Sequence, residues 1–182
     1  MFIKCAFGIM IMSMLSAGAG SVLSAEEGVM TGMTEAHNAV RAELGLPELA
    51  WSDELAESAG EWAQYLADYN GCRMKHRPAK GENASDYGEN LFRASAVKFS
   101  TGEREVQKFT AQHVVDSWAS EAQYYNYEKN RCQWGRKCGH YKQVVWRDTR
   151  LVGCGMALCA DKSQIWVCNY DPPGNFAGRK PY

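Results

Sequence analysis

Cys138-Gly139-His140-Tyr141-Lys142-Gln143-Val144-Val145-Trp146-Arg147-Asp148-Thr149 is followed by Ile165-Trp166-Val167-Cys168-Asn169-Tyr170-Asp171-Pro172-Pro173-Gly174-Asn175-Phe176, and few folds need both runs in that order. Between them Val152, Cys154, Met156 and Leu158 alternate with Gly153, Gly155 and Ala157, the period of a strand with one apolar face. Ile165 to Tyr170 form a second short β-rich run, reached across Asp161-Lys162-Ser163. The two read as an antiparallel hairpin. Beyond it, Pro172 to Tyr182 is rich in Gly and Pro and is expected to be extended on the surface.

Upstream, the pattern changes to helical spacing. Met33, His37, Val40 and Leu44 recur along a predicted helix from about Thr31 to Gly45, which Gly45 and Pro47 end. Ser52 can cap a second helix, with Asp53 and Glu54 suited to the positive end of its dipole and Leu55, Ala59, Trp62, Ala63 and Leu66 on one face. A third amphipathic segment is predicted from near Glu103 to Glu121, with Thr110, Val114 and Trp118 stacked four apart, before Tyr124, Tyr125, Asn126 and Tyr127 open a loop. Helices first and strands later predict an α+β fold, helices packed on an antiparallel sheet.

The chain has 182 residues, enough for one domain with a real core, and no repeat or low-complexity linker divides it. Its 20 basic and 21 acidic residues are well mixed, which leaves no electrostatic footprint for a nucleic-acid backbone or an anionic membrane, and neither partner is expected. Residues 1–25 differ from the rest: Lys4, an apolar stretch from Cys5 to Leu15, then Ser16-Ala17-Gly18-Ala19-Gly20, with no acid before Glu26. That is the pattern of a cleaved signal peptide, leaving 26–182 as the mature domain and predicting export. A transmembrane anchor would need roughly 18 to 20 apolar residues, and this run breaks into Ser, Gly and Ala too soon. Without Cys5, the six cysteines Cys72, Cys132, Cys138, Cys154, Cys159 and Cys168 predict three disulfides in an exported chain. Spacing favours a local clip from Cys132 to Cys138 and leaves the other pairings open. No Cys-x-x-Cys pair supports a zinc-thiolate site instead. Asn83-Ala84-Ser85 is a glycosylation sequon in a eukaryotic secretory pathway.

With His37-Asn38-Ala39-Val40-Arg41, Gly88-Glu89-Asn90-Leu91 and the final Pro181-Tyr182, the two opening runs resemble the signature motifs of the CAP superfamily. That superfamily comprises cysteine-rich secretory proteins, antigen 5 proteins and pathogenesis-related class 1 proteins, and the pattern is most similar to the plant class 1 type. The resemblance implies a disulfide-stapled three-layer α-β-α sandwich with a central antiparallel sheet. It also implies Cys72 with Cys159 and Cys154 with Cys168. Lys142 departs from it, standing where the family usually has Thr, at the rim of the site.

The same resemblance implies a cleft of two imidazoles and two carboxylates, carried here by His76, Glu89, Glu121 and His140. Neutral imidazole nitrogens and carboxylate oxygens are both Zn²⁺ ligands, and two carboxylates would balance the charge of Zn²⁺ or another divalent cation. If the imidazoles ligate, the carboxylates can accept from their remaining N–H groups. A metal-free hydrogen-bonded cluster is the alternative. Gly81-Glu82-Asn83 repeats the start of Gly88-Glu89-Asn90, but Leu91 and Phe92 give Glu89 the apolar continuation that anchors a strand. His37, on the apolar face of the first helix, reads as a structural hydrogen-bonding group.

Three function classes follow. The first is an extracellular binding module, implied for several members to take a sterol or other lipid, with Tyr124, Tyr125, Tyr127 and Trp134 as candidate wall residues. The second is a metal-dependent hydrolase on the same cleft, although no Gly-x-Ser-x-Gly elbow, His-Glu-x-x-His helix or Cys nucleophile is present. The third is a defence or effector protein acting on an extracellular protein partner, or a precursor of a C-terminal signalling peptide starting at Pro172. A surface strap anchored by Phe176 and Tyr182 is the simpler reading of that terminus. Binding rather than turnover, as a monomer and with no organic cofactor, is the expectation.

Overall fold

The computed structural model describes residues 26–81 and 84–182. The signal peptide expected over 1–25, and Glu82 and Asn83 of the repeated triplet and the sequon, lie outside the described residues. The expected hairpin is the spine of the fold: β7 (Leu151–Leu158) pairs antiparallel with β8 (Gln164–Asp171), and Cys154 lies directly opposite its disulfide partner Cys168. At the turn, the Asp161 carboxylate accepts from the Ser163 N–H at 3.0 Å, and Cys159 N–H donates to Ser163 O at 2.8 Å. On the far side of β8, β2 (Gly88–Ala94) pairs antiparallel and forms one edge of a four-stranded sheet that continues through β8 and β7 to a fourth, short strand.

The sheet is mixed rather than antiparallel throughout. Its other edge, β1 (Ala50–Trp51), runs parallel to β7, with Ala50 opposite Leu151. The direction follows from what comes next. Ser52 donates its N–H to Val152 O at 2.9 Å while its hydroxyl accepts from Leu55 N–H at 3.3 Å, so α2 (Asp53–Tyr69) must start directly over β7. A two-residue strand carries no period for a sequence reading to detect.

Alternation along the strands divides two apolar cores between the sheet faces. Ile165, Val167 and Leu91 join Ala59, Trp62 and Leu66 of α2 on one side. Trp166, Cys168, Tyr170 and Val152 face the other side with residues of α1 (Met33–Ala42), α3 (Ala111–Ala119) and α4 (Gly139–Val144). These are the three layers. On the α2 face β7 presents glycines: a Cβ on Gly153 would lie 2.3 Å from Ala56 N, and one on Gly155 2.5 Å from the Cα of Gly60. The helix and strand backbones therefore touch where any larger residue would force them apart.

The third helix starts later than its amphipathic pattern predicts. Thr110 is its cap, accepting from His113 N–H at 3.2 Å, not a member of its apolar face. Part of the stretch before it is engaged elsewhere: β4 (Arg104–Glu105) pairs with β3 (Val97–Lys98), and the Gln107 side-chain amide donates to Ser95 O at 2.7 Å. A second small hairpin, β5 (Tyr125–Asn126) with β6 (Arg131–Cys132), follows a 3₁₀ turn over Ser120–Tyr124. The disulfides are Cys72–Cys159, Cys132–Cys138 and Cys154–Cys168, the spacing-based clip and both family-implied pairings.

Buried polar groups fix α1 to the rest. The fully buried His37 ring bonds Met33 O at 2.7 Å and the Tyr170 hydroxyl at 2.8 Å, the structural role its position suggests. Burial pulls its pKa down to about 4. The Arg41 guanidinium, also fully buried, donates to the carbonyls of Pro47, Val144, Trp146 and Thr149 at 2.7 to 3.3 Å, and burial lowers its pKa to about 10. It thereby secures the carbonyl end of α4.

The C-terminal tail is a strap. Gly174 N–H donates to the Gln143 side chain at 2.9 Å, Asn175 Nδ2 to Gly139 O at 2.9 Å and Arg147 N–H to Pro181 O at 2.7 Å. Tyr182 stacks on Tyr127 with ring centroids 4.8 Å apart, and Phe176 tilts against Trp146 at 5.9 Å.

Candidate functional site

The site forms at the free edge of β2, where residues of both helical layers meet. Alternation sends Glu89 toward α2: its cross-strand partner Asn169 bonds Ser58 of that helix at 3.2 Å. Asn90 turns the other way, donating to the Tyr170 hydroxyl and to His140 O, both at 3.1 Å. A cleft of about 320 Å³ lies over this edge, lined by His76, Glu89, Asn90, Lys137, Cys138, Gly139, His140 and Asn175.

Each imidazole is paired with one carboxylate. On the α2 side His76 Nδ1 lies 2.6 Å from Glu89 Oε1, which also accepts from Arg77 N–H at 3.1 Å. Glu89 Oε2 is buried without a hydrogen-bond partner among the described residues. On the other side His140 Nδ1 lies 2.7 Å from Glu121 Oε1, while Glu121 Oε2 accepts from the N–H groups of His140 at 3.0 Å and Tyr141 at 3.2 Å. Glu121 stands on the 3₁₀ turn, where it closes the first turn of α4. Burial alone would raise its pKa, but the His140 hydrogen bond and charge, with the two backbone donors, hold it below the usual carboxylate range.

An ionised carboxylate can only accept, so each Nδ1 must carry the hydrogen. In a neutral ring, Nε2 is then a lone pair, and neither Nε2 has a protein partner among the described residues. Among the described residues no group of three or more His, Cys, Asp and Glu side chains is arranged to hold a metal ion. The cleft lining thus includes two imidazole rings, each backed by a carboxylate.

Of the four side chains expected here, His76, Glu89 and His140 line the cleft directly and Glu121 sits behind His140. Glu121 borders a neighbouring groove with Met74, Leu91, Phe92, Arg93, Ser117, Trp118 and His140. Asn90, Lys137 and Asn175 were not singled out from the sequence. Asn90 had a signal, because alternation next to Glu89 places it on the opposite face of the same edge strand; nothing marked Lys137 or Asn175. Lys142 is half-buried on α4, does not line the cleft, and burial lowers its pKa.

Of the four loop aromatics, Tyr124 and Tyr125 line one groove with Lys129, Arg131 and Gln133. Tyr125 packs against the core beside Tyr141, Tyr127 stacks on Tyr182, and the Arg136 guanidinium lies 4.7 Å over Tyr124. Trp134 is 98% exposed. Ser120 donates to Ser117 O at 2.7 Å, a local helical bond.

Comparison with known proteins agrees with this architecture. Residues 34–170 match the family model for the CAP, or cysteine-rich secretory protein, family. Over 148 residues the chain is 38% identical to pathogenesis-related protein 1A of Nicotiana tabacum, covering 81% of this chain and 77% of that protein. Among solved structures, Schistosoma mansoni venom allergen-like protein 4 is 27% identical with a TM-score of 0.60, covering 83% of this chain and 91% of that one. NaASP2, solved with Zn²⁺, shares the fold at 23% identity and a TM-score of 0.63, covering 91% of this chain and 90% of that one. With its motif order, its three disulfides and its layered sheet accounted for, this chain belongs to the CAP family of cysteine-rich secretory proteins.

Proposed function

We propose that this chain is an exported binding protein of the pathogenesis-related type whose cleft takes a divalent cation, Zn²⁺ foremost, on Nε2 of His76 and His140. The carrying observation is that both Nδ1 atoms are held within 2.7 Å of a glutamate oxygen, an arrangement that fixes the ring tautomer and raises the basicity of the opposite nitrogen. A bound cation would supply Lewis acidity at the cleft. The chain's own part is to orient the two rings and to place acceptor carboxylates behind them. Three disulfides and the leader-like segment support export. The tobacco relative supports a role in defence.

Among the described residues the cleft lining supplies no hydroxyl nucleophile and its one sulfur, that of Cys138, is tied in a disulfide, so turnover there would need a metal-activated water, whereas binding needs only the two rings. Calorimetric titration of the mature protein with Zn²⁺ tests the reading. Saturable binding that disappears in His76→Ala and in His140→Ala is expected; unchanged binding in the double variant would refute it. Turnover of a peptide or ester panel, lost in His140→Ala, would move the assignment to a hydrolase.

A further inference from the structure

The even charge of the whole chain conceals a local imbalance. Between residues 125 and 142 stand Lys129, Arg131, Arg136, Lys137 and Lys142 against the lone acid Glu128, in a chain with a formal net charge of −1. Lys129, Arg131, Arg136 and Lys137 are exposed, and among the described residues no carboxylate pairs with any of them. A cation from the tail joins this group, since Lys180 Nζ lies 4.2 Å over the Tyr127 ring.

In the same stretch, between Arg131 and Arg136, stands Trp134, whose 98% exposure exceeds that of every other large apolar side chain among the described residues. The backbone puts it there. Arg136 N–H donates to Gln133 O at 3.0 Å, closing a four-residue turn in which Gly135 takes the third position with φ +75° and Trp134 the leading corner. The turn is rigidly based: the Cys132–Cys138 disulfide closes it, Gln133 N–H donates to Tyr124 O at 2.8 Å, and Arg136 is seated on Tyr124. Little conformational freedom remains to be lost on docking.

We propose that this disulfide-clipped loop docks the protein on an anionic lipid surface, with Trp134 entering the interfacial layer and Lys129, Arg131 and Arg136 meeting the phosphates. The chemistry matches by depth. An indole with an apolar body and one N–H is suited to the headgroup boundary, and cations behind it suit the anionic plane. An acidic polysaccharide would satisfy the cations and can lay a sugar face on one side of an indole, but an indole 98% exposed at a leading corner is enclosed on all sides only by an interfacial layer. This proposal does not depend on a metal in the cleft. Because Lys137 belongs to both the patch and the cleft lining, docking would bring the cleft mouth to the membrane.

Vesicle co-sedimentation of the mature protein tests the proposal, using phosphatidylcholine alone and phosphatidylcholine mixed with phosphatidylglycerol. Binding only to the mixed vesicles, weakening as salt rises, is expected. Lys129→Gln with Arg131→Gln should weaken it by about fivefold per cation removed. Lipids brominated near the headgroup should quench tryptophan emission in the wild type, and the quenching should vanish in Trp134→Ala, whose thermal midpoint should match the wild type. Absence of binding to mixed vesicles overturns the proposal, as does binding indifferent to these substitutions. Capture by polygalacturonate without capture by mixed vesicles overturns it in favour of a polysaccharide.

Discussion

The two imidazole–carboxylate pairs use the same chemistry in opposite mechanical settings. The His140–Glu121 pair is built into the fold: both side chains are largely buried, and Glu121 spends its second oxygen on two backbone donors of α4. The His76–Glu89 pair straddles the surface. Its carboxylate is 8% exposed and its ring 65% exposed, and one buried glutamate oxygen is left with nothing to accept. One pair is chiefly architecture that also presents a nitrogen; the other is a presented nitrogen with an unspent acceptor. A site made this way has one fixed and one adjustable jaw.

The largest expected effect breaks the fixed jaw. Glu121→Ala strips the partner from three donors and should lower unfolding free energy by about 3 to 4 kcal/mol in urea with the disulfides intact, whereas Glu89→Ala should cost about 1 kcal/mol. Equal losses would erase the distinction. Acid should act in the same sense. His37, with its pKa near 4 in the fold against 6.5 when free, binds fewer protons folded than unfolded between those values. Its contribution is fully present above pH 6.5 and lost as pH falls toward 4, a drop of about 2 to 3 kcal/mol. Glu121, held low, adds a further loss as pH falls through its folded-state value, so the acid limb of a pH–stability curve should be shallower in Glu121→Gln than in the wild type.

A smaller effect sharpens the adjustable jaw. Glu89→Gln should weaken Zn²⁺ binding about tenfold while leaving urea stability within about 0.5 kcal/mol of the wild type, and Glu82→Gln should change neither. A zinc loss on replacing Glu82 and none on replacing Glu89 would assign the carboxylate to the wrong triplet. The smallest shift belongs to the loop. Trp134→Ala should alter stability by less than about 0.5 kcal/mol, since almost none of the side chain leaves water on folding.

What the sequence revealed depended on how local the cause was. The Ser52 cap, the apolar face of α2 and the β7–β8 hairpin rest on neighbours within a few positions, and they could be read from spacing. The start of α3 could not, because the backbone of Arg104 and Glu105 is claimed by β3 rather than by a helix. The parallel edge strand was invisible, being only two residues set by where α2 begins. The site was legible solely through family motifs, since His76, Glu89, Glu121 and His140 come from four separate segments that only the folded sheet edge brings near one another. Whole-chain charge hides a local feature for a related reason: an average over 182 residues dilutes a basic cluster confined to one loop.

The strap has a consequence for the cleft. Asn175 holds the opening carbonyl of α4, and the hydroxyls of Tyr182 and Tyr141 lie 3.1 Å apart, so the chain's last residues brace the very helix that carries His140. A protease trimming the terminus would therefore not merely shed a fragment. It would slacken the wall that carries His140 from outside, and on the zinc reading proposed above, affinity for the cation should register the cut.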